Sequence, residues 1–484
     1  MKVTFKNTIR IAMLPILLQC ACNKDFLDIR PKGKLIASSI NDYDLLLNNV
    51  SLLTRNNEVT VPMGDEILAV DNMFTGTTLR AQRLFRWEDV IYNDNEQAPE
   101  MDFSDIYIYN KIINEAGSAA DGTVQQQQSL IAEAKAMRAW SYFQLINFYG
   151  KPYQKATAAN DPGLPIVTTS DVTQHNFTRA NVQDVYNFII KDLSDAIPLL
   201  PVKITSRIRM GQAAAQALLG KVYLFMGNPE AALPLLDAAV NNISLTSAGT
   251  NASNMALYDL NVTMADGGPW GYNMAFPPFS FGIPSISNNT ESLFARQFIN
   301  YWTFSSAEFA LTPETVQRYS SSDQRLKFLS AFSSPGTPYP VAGSRRKFGM
   351  IACYNGITLP DLYLLRAECR ARLNDLPGAE SDVEMLRTKR MSAAEASLPP
   401  GMGQAAMIQF VIEERIREFA LQGQRWFDMR RLSTDPLFSQ ATYRHYYYDA
   451  TGKVVASYIL KPERLTLRLP QVVINQNPGM INNP

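Results

Sequence analysis

The chain has 484 residues, 46% of them apolar, and sets 45 Lys+Arg against 45 Asp+Glu. That apolar fraction excludes disorder, and the charge balance leaves no footprint for a nucleic-acid phosphate backbone. Only His175 and His445 are present, which excludes a multi-histidine metal site and starves a histidine-based triad of parts. No GxxxxGK[ST], HExxH, EF-hand or GxGxxG pattern occurs, so neither a cofactor nor a metal is expected.

In chain order, the first element is an address. Lys2, Lys6 and Arg10 precede an apolar stretch from Ile11 to Leu18, broken only by Pro15. It is too short to span a bilayer but suits a signal-peptide core. The stretch runs into Gln19-Cys20-Ala21-Cys22, which looks like a bacterial lipobox with residues 1–21 removed and Cys22 lipidated. Gln19 stands where such motifs usually carry Leu. Cys20, directly after Gln19, is the competing anchor, and a plain secretory cut near Ala21 is the alternative. Lipidation would hold the protein on a membrane without spanning it. Removal of residues 1–21 would take three basic residues and leave a net charge of −3. Cys353 and Cys369 are too few for a disulfide framework, and Cys369, in a helical pattern, reads as a small buried apolar residue.

From residue 40 the commonest pattern is the amphipathic helix. Helical periodicity predicts elements at 40–54, 103–118, 125–149, 178–200, 211–226, 229–242, 360–373, 376–391 and 404–431. In the fourth of these Asn181 is the expected N-cap, with Asp184 three positions on. Irregular sequence fills 55–100, 150–177, 243–358 and 433–484. Val454–Leu460 and Thr466–Leu469 are the best strands, and Tyr446-Tyr447-Tyr448 before a turn at 449–453 reads as a hairpin arm. Alternation there puts Tyr447 on the face opposite its two neighbours. The fold class is mainly α, with a few short strands and a large loop-rich region.

The helices carry a repeat. Leu219-Gly220, Tyr223, Ala232, Leu236 and Ala239 fall at tetratricopeptide (TPR) spacing, with small residues where two helices must approach closely. Tyr363, Ala367, Ala379, Val383 and Leu386 keep the same offsets, and 133–149 resembles a first helix of this kind. The copies are not in tandem, so TPR-like hairpins at about 103–242 and 360–431 form a scaffold that presents inserted loops, where function usually sits.

A second set of motifs runs the length of the chain. It starts with Cys22-Asn23-Lys24-Asp25-Phe26-Leu27-Asp28 and Pro31, and continues through Glu133–Ala139 with Tyr142-Phe143 and Phe148-Tyr149-Gly150 to Gly163-Leu164-Pro165-Ile166-Val167. Val185-Tyr186, Asp192-Leu193, Leu200-Pro201, Glu414-Arg415, Gly423–Arg431 and the close Asn477-Pro478 to Asn482-Asn483-Pro484 complete it. With these residues the chain resembles the SusD/RagB family of outer-membrane nutrient-binding lipoproteins, with Asn482 where Gln is commoner. The resemblance implies one SusD-like domain from 22 to 484, a surface-exposed lipoprotein of the outer membrane in Bacteroidota, without catalytic activity. It implies capture of an oligosaccharide, or of a peptide in the RagB-like alternative, and delivery to a SusC-like TonB-dependent transporter. A surface glycoside hydrolase is the rival of another class.

Two loops are the expected ligand-binding region, about 55–100 and 243–358. Residues 270–304 hold ten aromatics, nearly three times the chain's mean density of 50 in 484. Sugar rings offer apolar faces to aromatic planes, and Trp and Tyr combine an apolar body with a polar tip. Trp270, Tyr272, Tyr301 and Trp302 are therefore the expected contacts, with Asn273 and Arg296 among the polar partners. In the earlier loop Asp71 and Asn72 are expected contacts, beside Arg80 and Trp87. The run Arg425-Trp426-Phe427-Asp428-Met429-Arg430-Arg431 reads as structural, its charges paired inside the fold. Glu414 and Glu418 lie four apart and could mimic a glycosidase pair, but a solvated ion-pair face with Arg415 and Arg417 is the expected arrangement.

Overall fold

Each helical hairpin forms where small residues let two amphipathic helices close on one another. Gln212–Phe225 packs on Pro229–Thr246, and a Cβ on Gly220 would stand 2.7 Å from the Leu236 side chain. The second hairpin, Leu359–Arg372 with Leu376–Arg387, buries Ala367, Ala379, Val383 and Leu386 in one apolar cluster. Val124–Tyr149 lies against Val182–Ala196 in the same way. These are the predicted TPR-like pairs. The computed structural model describes residues 37–55, 57–246, 255–270, 282–300, 302, 307–334, 336–347 and 352–484, with the side chains of 244–246 left out. Residues Ser39–Pro484 form one compact unit.

Local chemistry sets the helix ends. Thr123 and Gln126 exchange hydrogen bonds in a capping box, Thr358 accepts from the Asp361 N–H, and Asn181 accepts from the Asp184 N–H at 2.7 Å as expected. The element expected over 404–431 is two helices, Gln404–Glu418 and Gln424–Leu432. Leu421 and Gly423 between them take left-handed φ values of 58° and 76°, which no helix continues through. A Cβ on Gly423 would also run into Thr60 Oγ1.

The loop segments contain more strand than expected. Strand β1 (Ile67–Val70) lies between β2 (Phe309–Leu311), antiparallel, and β3 (Arg444–Tyr448), parallel, while β4 (Val454–Ile459) pairs antiparallel with β3. Ala69 is opposite both Phe309 and Tyr447, so three distant segments converge on one strand. The hairpin expected around 449–453 is the β3–β4 pair. Thr466–Leu469 is not a strand. Leu465, Leu467 and Leu469 are buried against the scaffold, and Leu467 donates to the Phe148 carbonyl at 2.8 Å. The terminal asparagines are structural: Asn483 donates to the carbonyls of Tyr149 and Leu467, and Asn482 brackets the backbone of Leu469.

Candidate functional site

The early loop reaches the later aromatic loop through one arginine. Thr78 caps the short helix Leu79–Phe85 by accepting from the Ala81 N–H, which sets Arg80 on its first turn. The Arg80 guanidinium pairs with Glu58 at 2.9 Å and lies 5.6 Å from the centroid of the Trp302 ring. Trp302 also meets Phe309 of β2 edge to face at 6.0 Å. Asp71 follows β1 directly and accepts a hydrogen bond from the Tyr447 hydroxyl of β3. Burial, and then the Asp71 carboxylate, push that hydroxyl up to about 12, so it serves as a donor. Asn72 is exposed beside Asp71. Tyr446 and Tyr448 share the other face of β3, 6.3 Å apart, as alternation requires.

The remaining expected contacts fall elsewhere. Trp270 is 6% exposed and belongs to a second cluster, with Leu260 and Met264 beneath it and Tyr258 5.0 Å from its ring. Trp302 is 8% exposed, so neither tryptophan offers an open platform. Tyr272, Asn273 and Tyr301, and also Cys22, lie outside the described residues.

Arg296 is not a surface partner. It is 1% exposed, donates to the carbonyls of Ala295 and Ile208, and stacks 4.0 Å from the Phe294 centroid. It lies between the short strands Ser292–Phe294 and Gln297–Ile299, in a run of buried residues, where its stem and planar head fill space beside Trp140. Trp87 is also core: its indole donates to the Met63 carbonyl at 3.1 Å and stacks on His445 at 3.8 Å. The His445 nitrogens lie 2.7 and 2.6 Å from the carbonyls of Phe85 and Gly64. Burial lowers this imidazole to about 4, and a neutral ring donates to only one of the two.

The charged run near the end is structural, as expected, and more deeply buried than expected. Asp428 binds Arg415 and Arg431 at 2.8 Å each, Arg425 pairs with Asp65, and Arg431 also grips Glu368 at 2.7 Å. Burial alone would raise Asp428, but the two guanidiniums outweigh it and hold the carboxyl at about 2. The solvated face expected for Glu414 and Glu418 does not exist. The Glu414 side chain is fully buried among Arg325, Arg387 and Arg417, and Glu418 lies between Arg325 and Arg390. Helical spacing suggests an exposed stripe, yet Arg325, Arg387 and Arg390 come down on that stripe from other elements. Cys353 and Cys369 are buried, and burial pushes the Cys353 thiol up to about 11. Among the described residues no cluster of His, Cys, Asp and Glu is placed to hold a metal ion, and no helix is long and apolar enough to cross a membrane.

Sequence reasoning missed Tyr258, Phe328, Lys347 and Tyr354, which wall a cavity with Trp270. The basic triplet Arg345-Arg346-Lys347 was the one available signal.

With the geometry in place, comparison with known proteins defines the family. Residues 25–224 match a family described as SusD-like, starch-binding and associating with the outer membrane, and residues 357–484 match the SusD family. The chain belongs to the SusD/RagB family. A SusD-like protein of Bacteroides ovatus is 24% identical over 235 residues, 46% of this chain and 40% of that protein's length. SusD-like protein P2 of Formosa agariphila is 23% identical over 360 residues, 67% of this chain and 68% of that protein. Among solved structures, a SusD superfamily protein of Bacteroides thetaiotaomicron matches with TM-score 0.69 at 17% identity, covering 92% of this chain and all of that one. A putative sugar binding protein of Bacteroides vulgatus gives TM-score 0.68 at 19% identity, covering 93% and 99%. These likenesses establish the fold.

Proposed function

We propose that this protein is a glycan-binding component of nutrient uptake at the outer membrane, anchored by lipid at Cys22 after loss of residues 1–21. It captures an oligosaccharide at the cell surface and delivers it to a SusC-like TonB-dependent transporter, making and breaking no bond. The observation that carries the reading is the family match across both helical blocks, which together account for about two thirds of the chain. The loop-rich segments about 55–100 and 243–358 form the ligand-binding region of the single domain 22–484. The early-loop segment that carries Asp71, Asn72 and Arg80, with Trp302 buried behind the Arg80 guanidinium, is our binding site; Tyr272, Asn273 and Tyr301 are further proposed contacts. Trp270 instead lines the cavity walled by Tyr258, Phe328 and Lys347. The buried, arginine-bound state of Glu414 and Glu418 supports a binding protein over a hydrolase, because a general acid must reach its substrate.

Calorimetric titration of the soluble chain against glycan and peptide panels tests this. Heat on a glycan without release of reducing ends is expected. Heat on peptides alone would move the reading to the RagB-like alternative, and glycan cleavage would overturn it. Full-length protein should label with palmitate and stay with membranes, and Cys22→Ala should do neither.

A further inference from the structure

The cavity beside Trp270 has a volume of about 90 Å³, several times the roughly 10–15 Å³ that one water needs. Its walls mix aromatic rings with charge: Arg325, Lys347, Arg390 and Arg417 against Glu291 and Glu418. Each arginine is already held. Arg325 pairs with Asp323, Glu414 and Glu418, Arg390 with Glu291 and Glu418, and Arg417 with Glu414, all at 2.7–2.8 Å.

Lys347 differs. It stands on the short strand Arg346–Lys347, paired with Leu329–Ser330, and is only 6% exposed. Its ammonium makes no hydrogen bond and no ion pair among the described residues; Cys353, Glu418 and Glu66 act on it only at longer range. Adding Arg387, which pairs with Glu414, the contiguous network has five cations and four carboxylates. Glu66, which also acts on Lys347, is pushed up to about 8 by burial and is protonated at neutral pH, so the surplus is one positive charge, and it falls on the lysine that faces the space. A buried ammonium without a counter-charge is destabilising, and burial accordingly lowers the Lys347 pKa.

We propose that this cavity binds one small oxyanion, a carboxylate or sulfate group, with Lys347 as its counter-ion. The paired arginines fix the wall, so the anion meets a preformed donor and gains charge-assisted hydrogen bonds. Tyr258, Trp270 and Phe328 supply apolar surface for whatever carries the anion. Its lining includes none of Arg80, Trp302, Asp71 and Asn72, so the proposal stands whether or not the locus proposed there binds sugar.

The test uses the whole soluble chain at constant ionic strength, titrated separately with sulfate, glucuronate and glucose while the melting temperature is followed. Sulfate or glucuronate should raise it and glucose should not. A response to glucuronate alone assigns the anion to an acidic sugar, and a response to sulfate assigns it to a free inorganic ion. Affinity should fall about ten- to a hundredfold in Lys347→Met, the loss of one charged hydrogen bond. Without anion, Lys347→Met should melt at or above wild type, because it removes an uncompensated charge. Selenate soaked into wild-type crystals should give an anomalous peak at the Lys347 ammonium, a readout that needs no variant. No anion response, an equal response in Lys347→Met, or an empty cavity after soaking would each overturn the proposal.

Discussion

Two buried carboxyl groups have opposite responses to pH, and their surroundings explain why. Asp428 is held at about 2 by Arg415 and Arg431. The folded chain therefore keeps this carboxylate ionised after the unfolded chain has protonated it, near pH 4. Its contribution is complete above that range and is lost as pH falls toward 2. Asp428→Asn leaves two guanidiniums short of a partner and should cost about 3–5 kcal/mol in urea unfolding, with a flatter acid limb. Glu66 is the reverse case. Burial raises it to about 8, its Oε1 accepts from the Leu421 N–H at 2.9 Å, and its Oε2 has no partner among the described residues. Between the ordinary carboxylate range and about 8 the folded chain holds a proton that the unfolded chain has released. Its contribution to stability therefore declines as pH rises through that window. Glu66→Gln keeps the acceptor and should remove this decline, measured as urea midpoints at about pH 5 and about pH 9. A wild-type slope of the other sign would show that Glu66 is ionised in the fold.

At the scale of elements, the hairpins were legible because their periodicity is local. Gly220, Ala232 and Leu236 fix one helix pair within seventeen residues, and the close contact of Gly220 with Leu236 follows from that spacing. Gly220→Val should destabilise the chain by about 1–3 kcal/mol through overpacking. Leu236→Ala in the same chain should recover part of the loss, which a double-mutant cycle by thermal melting would read. Full additivity of the two changes would mean that the helices do not meet there. Strand β1 was not legible. Ile67-Leu68-Ala69-Val70 is buried on both faces, so it shows no alternation, and its parallel partner is Tyr447, far away in sequence. The break at 419–423 was hidden for another reason: it depends on backbone angles at Leu421 and Gly423 and on the nearby Thr60, not on apolar spacing. The burial of Glu414 was illegible because Arg325 and Arg387 reach it from other elements.

Across the whole molecule, the scaffold presents described loop residues at two places: Arg80 meets Trp302 and Asp71 meets Tyr447, while Trp270 and Lys347 line a cavity. Family membership was readable from motifs spread along both helical blocks, because those motifs are structural: Asp428 and Arg431 pair in the core, and Asn483 ties the end to Tyr149. The site was readable only as a region. Aromatic density marked 270–304 but could not separate Arg296, which went to the core, from Arg80, which pairs with Glu58 over Trp302. The most direct test of nutrient capture is tryptophan fluorescence of the soluble chain titrated with neutral oligosaccharides. The proposed site predicts saturable quenching by one glycan, retained in Trp270→Phe and abolished in Trp302→Phe together with calorimetric binding. Glycan binding that survives unchanged in Trp302→Phe and Arg80→Ala, or no glycan binding at all, would contradict it.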